Sequence, residues 1–152
     1  MKSKEILFVI FIFAATSITA QKSFFFELGG TGGIASINHE NIFYDKESFD
    51  ISYRVGFSFA PVDKNNGVVL IFPVVLNGII GKTKHKIEFG IGQSISITTK
   101  GQPFIMGNAI GGYRYSPLDK NYYLRLSYTP IISYIVDFQW QHWAGVSFGY
   151  KF

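Results

Sequence analysis

The residues with which this chain could do chemistry are three histidines, His39, His85 and His142, the hydroxyls near them, and eight charged side chains set among small residues: Glu27, Glu40, Asp50, Arg54, Lys86, Glu88, Arg114 and Arg125. Nucleophilic catalysis needs a hydroxyl within reach of a base that is itself held in place. His142 and Ser147 lie five residues apart, which puts them on opposite faces of a regular strand, and the adjacent His39 and Glu40 diverge in the same way. No pair of histidines or carboxylates has the spacing of metal ligands. The glycines of Gly29-Gly30-Thr31-Gly32-Gly33 lack the Lys-Ser/Thr step or the helix that a phosphate-cradling loop needs. No catalytic centre and no cofactor are therefore expected. What remains is the set of eight charges, whose meaning depends on which way the surrounding elements point them.

Those elements read as strands. From Phe49 to Ala60, Phe49, Ile51, Tyr53, Val55, Phe57 and Phe59 share one face, and Asp50, Ser52, Arg54, Gly56 and Ser58 share the other, a strict period of two. His85 to Thr98 repeats it, with Ile87, Phe89, Ile91, Ile95 and Ile97 opposite Lys86, Glu88, Gly90, Gly92, Ser94 and Ser96, and Gln93 as a misfit. Tyr122 to Tyr134 and, more weakly, Phe104 to Tyr115 follow suit, placing Arg125 and Arg114 on the small-residue face. Val68 to Ile80 is apolar on both faces; its β-branched residues, Pro73 and Gly78 favour a strand over a helix, with a bulge or distortion expected where Pro73 cannot donate. The last stretch, Trp143 to Phe152, alternates Ala144, Val146, Phe148, Tyr150 and Phe152 with Gly145, Ser147, Gly149 and Lys151.

Tight polar turns are expected near Asp45-Lys46-Glu47, at Gly81 to Lys84 and at Pro117 to Lys120, alternating with connections at Ala60 to Gly67, Thr99 to Gln102 and Ser133 to Gln141. Ser23 to Gly29 and Ala35 to Phe43 supply the remaining strands, for a total of eight. Gly29 to Gly33 reads either as the turn between those two strands or as a kink in a single long one. In the first strand Phe24, Phe26 and Leu28 share a face and Glu27 takes the other.

Composition narrows the class. The 152 residues carry no Cys, which excludes disulfides, Cys-based zinc sites and a lipid-modified N-terminal Cys. Aromatics reach 18%, while charged residues are 16% against about 25% in an average domain. The net charge of +4 comes without a basic run, so nucleic acid is not an expected partner. Lys2 and Lys4, the apolar Ile6 to Ala15 and the small residues Thr16 to Ala20 make a secretory signal peptide, cleaved near Ala20 and too short to span a bilayer as a helix. The mature domain is then 21–152.

Two architectures satisfy this alternation. A secreted lipocalin-like barrel would turn its apolar face inward around a lipid, whereas a membrane barrel turns it outward. The polar face here is Gly, Ser and isolated charges, far poorer in Lys and Glu than a water-exposed surface. Aromatics also cluster at strand ends (Phe49, Phe59, Tyr113, Tyr122, Trp140, Trp143, Tyr150), as in the interfacial girdles of membrane barrels. The expected fold is therefore an all-β, eight-stranded antiparallel up-and-down transmembrane β-barrel, with the eight charges paired inside a lumen only wide enough for its own side chains or one small ligand. Arg54, Glu88 and Arg125 are expected to find opposite charges across that lumen.

Glu27-Leu28-Gly29-Gly30, Ser36-Ile37-Asn38, Tyr53-Arg54-Val55-Gly56, Gly112-Tyr113-Arg114-Tyr115 and the closing Gly149-Tyr150-Lys151-Phe152 resemble the small outer-membrane β-barrel proteins of Bacteroidetes. His39 departs from the pattern, standing where an aromatic is expected. The resemblance implies insertion into the outer membrane of a Gram-negative bacterium, with Phe148, Tyr150 and Phe152 as the C-terminal address read by the barrel-insertion machinery. It implies outer-membrane lipid as the surroundings, a monomer, and no assigned reaction. A structural or interaction role is expected. A narrow pore or small-ligand barrel, the secreted lipid carrier and a lipid-modifying enzyme are the alternatives.

Overall fold

Alternation of apolar and small residues dictates extended chain almost throughout, and the computed structural model, which describes residues 21–63, 67–101, 103–133 and 138–152, is nearly all strand. The segment read as a signal peptide lies outside the described residues. The strands are β1 (Gln21–Gly29), β2 (Ala35–Lys46), β3 (Phe49–Asp63), β4 (Gly67–Ile80), β5 (His85–Thr98), β6 (Pro103–Tyr115), β7 (Tyr122–Tyr128), β8 (Ile131–Ser133), β9 (Gln139–Gln141) and β10 (Ala144–Lys151). Strands β1 to β7 pair antiparallel in chain order, and β10 pairs with both β7 and β1 to close the sheet. The result is a closed eight-stranded barrel: β7 and β8 both lie along β6 as one interrupted strand, while β9 and β10 form its partner.

Three features differ from the sequence reading. The stretch from Tyr122 breaks after Tyr128, because Pro130 has no N–H to give the ladder. The gap is bridged by backbone bonds from Ala109 N to Pro130 O and from Thr129 N to Trp143 O. Secondly, β3 runs through Pro61 to Asp63, so most of the connection expected at Ala60 to Gly67 is strand. A third difference is β2, which reaches Lys46 through an irregularity between Ile42 and Tyr44. At Pro73 the expected disturbance is a distortion and not a bulge: pairing with β3 lapses between Val55–Val74 and Ser58–Ile71, and the register on either side is the same.

Gly29 to Gly33 makes the reversal between β1 and β2, with Gly30–Gly32 as a turn of 3-10 helix. Its three glycines at positive φ, Gly29, Gly30 and Gly33, let the chain fold back steeply. The turn drops into the barrel, and Gly30, Thr31 and Gly32 are all buried.

The facing follows the alternation. Phe57, Phe89 and Phe148 are 44%, 46% and 57% exposed on the outside, while Arg54 and Glu88 are 1% and 0% exposed in the lumen. An inward apolar face around a carried lipid is thereby ruled out. Val68 to Ile80, opaque in sequence, resolves into Phe72, Val74, Leu76 and Ile80 outside and Val69, Ile71, Val75 and Ile79 inside. Gln93 and His39 both sit on the outer side, His39 edge-on to the ring of Phe24 at 4.9 Å.

Candidate functional site: the charged lumen

Strand pairing alone sets an electrostatic problem. In the sheet, Lys86 lies opposite Arg114, and Arg114 lies opposite Arg125, so three cations stand abreast on β5, β6 and β7. Like charges directly opposite repel. Closure of the barrel brings their partners from elsewhere.

Those partners form an unbroken alternating chain. Arg54 Nη1 lies 3.4 Å from Glu27 Oε1, which also receives Arg125 Nη2 at 3.1 Å. Arg125 Nη1 donates to Glu88 Oε1 at 3.1 Å, and Arg114 Nε donates to Glu88 Oε2 at 3.0 Å. Arg114 Nη2 then reaches both oxygens of Glu40 at 2.8 Å. Three carboxylates thus bind three guanidinium groups in the order Arg54, Glu27, Arg125, Glu88, Arg114, Glu40, and the six side chains come from β3, β1, β7, β5, β6 and β2. The closing strand joins through Ser147, which accepts from Arg125 and donates to Glu27 Oε1 at 3.2 Å. Ser52 donates to Glu40 at 3.0 Å. A separate pair, Lys86 to Asp50 at 2.9 Å, lies toward the end that carries the short turns.

Two aromatic side chains belong to this site and escaped the sequence reading. Phe25 lies under the guanidinium carbons of Arg125 and Arg54, at 4.3 and 5.6 Å from its ring centre. The Tyr123 ring lies 4.5 Å from Arg114, and its hydroxyl is within 3.5 Å of Glu40. Cation–π contacts of this kind strengthen when water is excluded. The missed signal was parity, since Phe25 shares a face with Glu27 and Tyr123 with Arg125. Room for Tyr123 comes from Gly149 on β10, where a Cβ would sit 2.3 Å from the ring.

The inward turn covers the other side of the chain. Thr31 Oγ1 accepts from Arg54 Nη2 at 2.7 Å, and its carbonyl accepts from Ser94 at 2.8 Å. Gly30 packs so closely on Glu27 that a Cβ there would lie 2.2 Å from the carboxyl carbon. The inward turn and the charged side chains therefore meet at this level.

The geometry does not assemble a catalytic centre from the histidines. His142 bonds the Tyr128 hydroxyl on the exposed rim, while Ser147 is buried and held by Arg125 and Glu27. His85 contacts Tyr113 outside, and His39 packs on Phe24. Among the described residues no three His, Asp or Glu groups are placed to hold a metal ion. The C-terminal aromatics Phe148, Tyr150 and Phe152 all face outward, with Phe152 stacked on Phe24 at 5.7 Å and its backbone N bonded to Lys22 O at 2.9 Å.

An apolar outside, an ionic inside and closed antiparallel pairing define a small membrane-type β-barrel. The similarity to solved structures agrees: the chain is similar to the N-terminal β-barrel domain of Pseudomonas aeruginosa OprF, with a TM-score of 0.57 and 12% identity over 88% of this chain and 96% of that one. It also aligns with the Yersinia pestis attachment invasion locus protein Ail, solved with the heparin analogue sucrose octasulfate, at a TM-score of 0.43 and 12% identity over 88% of this chain and 97% of that one. No family model matches the sequence. No curated protein matches it either.

Proposed function

We propose that this protein is a sealed outer-membrane barrel of a Gram-negative bacterium, one of the small barrels of Bacteroidetes, whose lumen stabilises the cylinder and carries no traffic. The first 20 residues direct secretion, and the insertion machinery reads Phe148, Tyr150 and Phe152. The short-turn end lies in the periplasm, and the barrel stands as a monomer in outer-membrane lipid with a structural or interaction role and no reaction of its own. One observation carries the reading: every acid in the six-membered chain is engaged by a guanidinium, and the inward turn at Thr31 lies against the same chain. Ion passage would require breaking several such buried pairs at once, each costing about 3–5 kcal/mol.

The test is conductance of the purified protein in planar bilayers under voltage. The expected trace is flat. Discrete, reproducible steps altered by Arg54→Gln or Arg125→Gln would replace this reading with the narrow pore.

A further inference from the structure

The outer wall is not uniformly smooth. Phe49 of β3 and Phe89 of β5 stack at 6.4 Å with nearly parallel rings, across β4 at the point where Gly78 presents no side chain. Above this pair lie two adjoining apolar grooves, of about 470 and 590 Å3, that share Leu76 and Ile91 and together run from Gly78 to Val74. From Gly78 to Val74 the strand advances four residues, about 14 Å at 3.4 Å each, or about 10 Å of depth at a strand tilt of about 40°. That is most of one leaflet of the ~25 Å apolar band of such barrels.

The groove opens at the short-turn rim, where charge is uneven. Ser48 O accepts from Gly81 N at 3.1 Å, joining the β2–β3 and β4–β5 turns into one ledge. The ledge carries Lys46, Lys82 and Lys84 against Asp45 and Glu47. Glu47 reaches only Lys82, at 3.8 Å, and both side chains are largely in water, so the pair neutralises little.

We propose that this face is a binding site for one anionic phospholipid: an acyl chain lies in the groove along Leu76 and Ile91, and the phosphate meets Lys82 and Lys84. The assignment to phospholipid of the inner leaflet rests on the orientation given above. Hydrocarbon fills the groove as it covers the rest of the wall, and the lysines select a negative headgroup.

The probe is an equimolar mixture of phosphatidylglycerol, phosphatidylcholine and lipid A offered to the full-length mature protein in mild detergent, with retained adducts read by native mass spectrometry. One phosphatidylglycerol is expected to persist. Lys82→Gln with Lys84→Gln should weaken its retention by about thirtyfold, since each lysine near an anionic surface contributes about fivefold. Ile91→Trp should reduce it with the lysines intact, because position 91 is 70% exposed and a larger ring fills the groove without touching the lumen. Equal retention of phosphatidylcholine, or indifference to both variants, overturns the site. So does preferential retention of lipid A. Orientation is tested separately with Thr83→Cys: a membrane-impermeant maleimide should label it only after the outer membrane is permeabilised. Labelling in intact cells would refute the orientation, whereas correct labelling without a lipid adduct would refute the site alone.

Discussion

Six strands give the lumen an ionic lining, whereas β4 gives it hydrocarbon. On β1, β2, β3, β5, β6 and β7 the inward positions include Glu27, Glu40, Arg54, Glu88, Arg114 and Arg125, and on β4 they are Val69, Ile71, Pro73, Val75 and Ile79, with Asn77 as the one polar member. The two linings hold the barrel together by different physics. Charged groups bond directionally and bind six separate strands into one connected network, so the loss of any link leaves a buried charge. The β4 wall gains from close packing alone, and its contribution varies smoothly with volume. The network also depends on closure, because the row Lys86, Arg114, Arg125 is repulsive until Glu27, Glu40 and Glu88 arrive from the other side.

The contrast can be broken most severely at its most connected member. Arg125→Met removes the partner shared by Glu27 and Glu88 and should cost about 3–5 kcal/mol in urea unfolding from lipid vesicles. A loss below about 1 kcal/mol would mean that the pairs are not stabilising as drawn. Gly30→Ala should cost about 1–3 kcal/mol, since alanine is strained at φ +76° and its methyl would press on the Glu27 carboxylate. An unchanged unfolding midpoint for that variant would show that the turn is not seated on the network. The smallest change compares the two sides of the wall. Ile79→Val inside should cost about 0.5–1.5 kcal/mol through the cavity it leaves, while Ile91→Val on the outside should stay within about 0.5 kcal/mol. Equal effects would deny that β4 packs a dry interior.

The same contrast explains what could be read in advance. Where one face is polar, as at Arg54 in β3 or Glu88 in β5, alternation identifies inside and outside at once, because neighbouring side chains in a strand must diverge. In β4 both faces are apolar, so the period is present in the backbone and invisible in the letters. Phe25 and Tyr123 were hidden for the opposite reason, being aromatic residues in a lumen where small or charged ones were expected. Pro130 was visible in the sequence and its consequence was local: one missing donor ends β7.

Sequence alone determined the strand period, the direction in which each charge points and the outward set of aromatic rings, since these depend only on extended geometry repeated along a chain. The pairing of the charges was decided by tertiary structure. Glu40 lies opposite Arg54 in the sheet, yet Arg54 is held by Glu27 and Thr31, and Glu40 is held by Arg114 from β6. Which partner wins depends on the diameter of the closed cylinder and the inward course of the turn after Gly29, because a buried side chain settles on the groups that closure brings within about 3 Å.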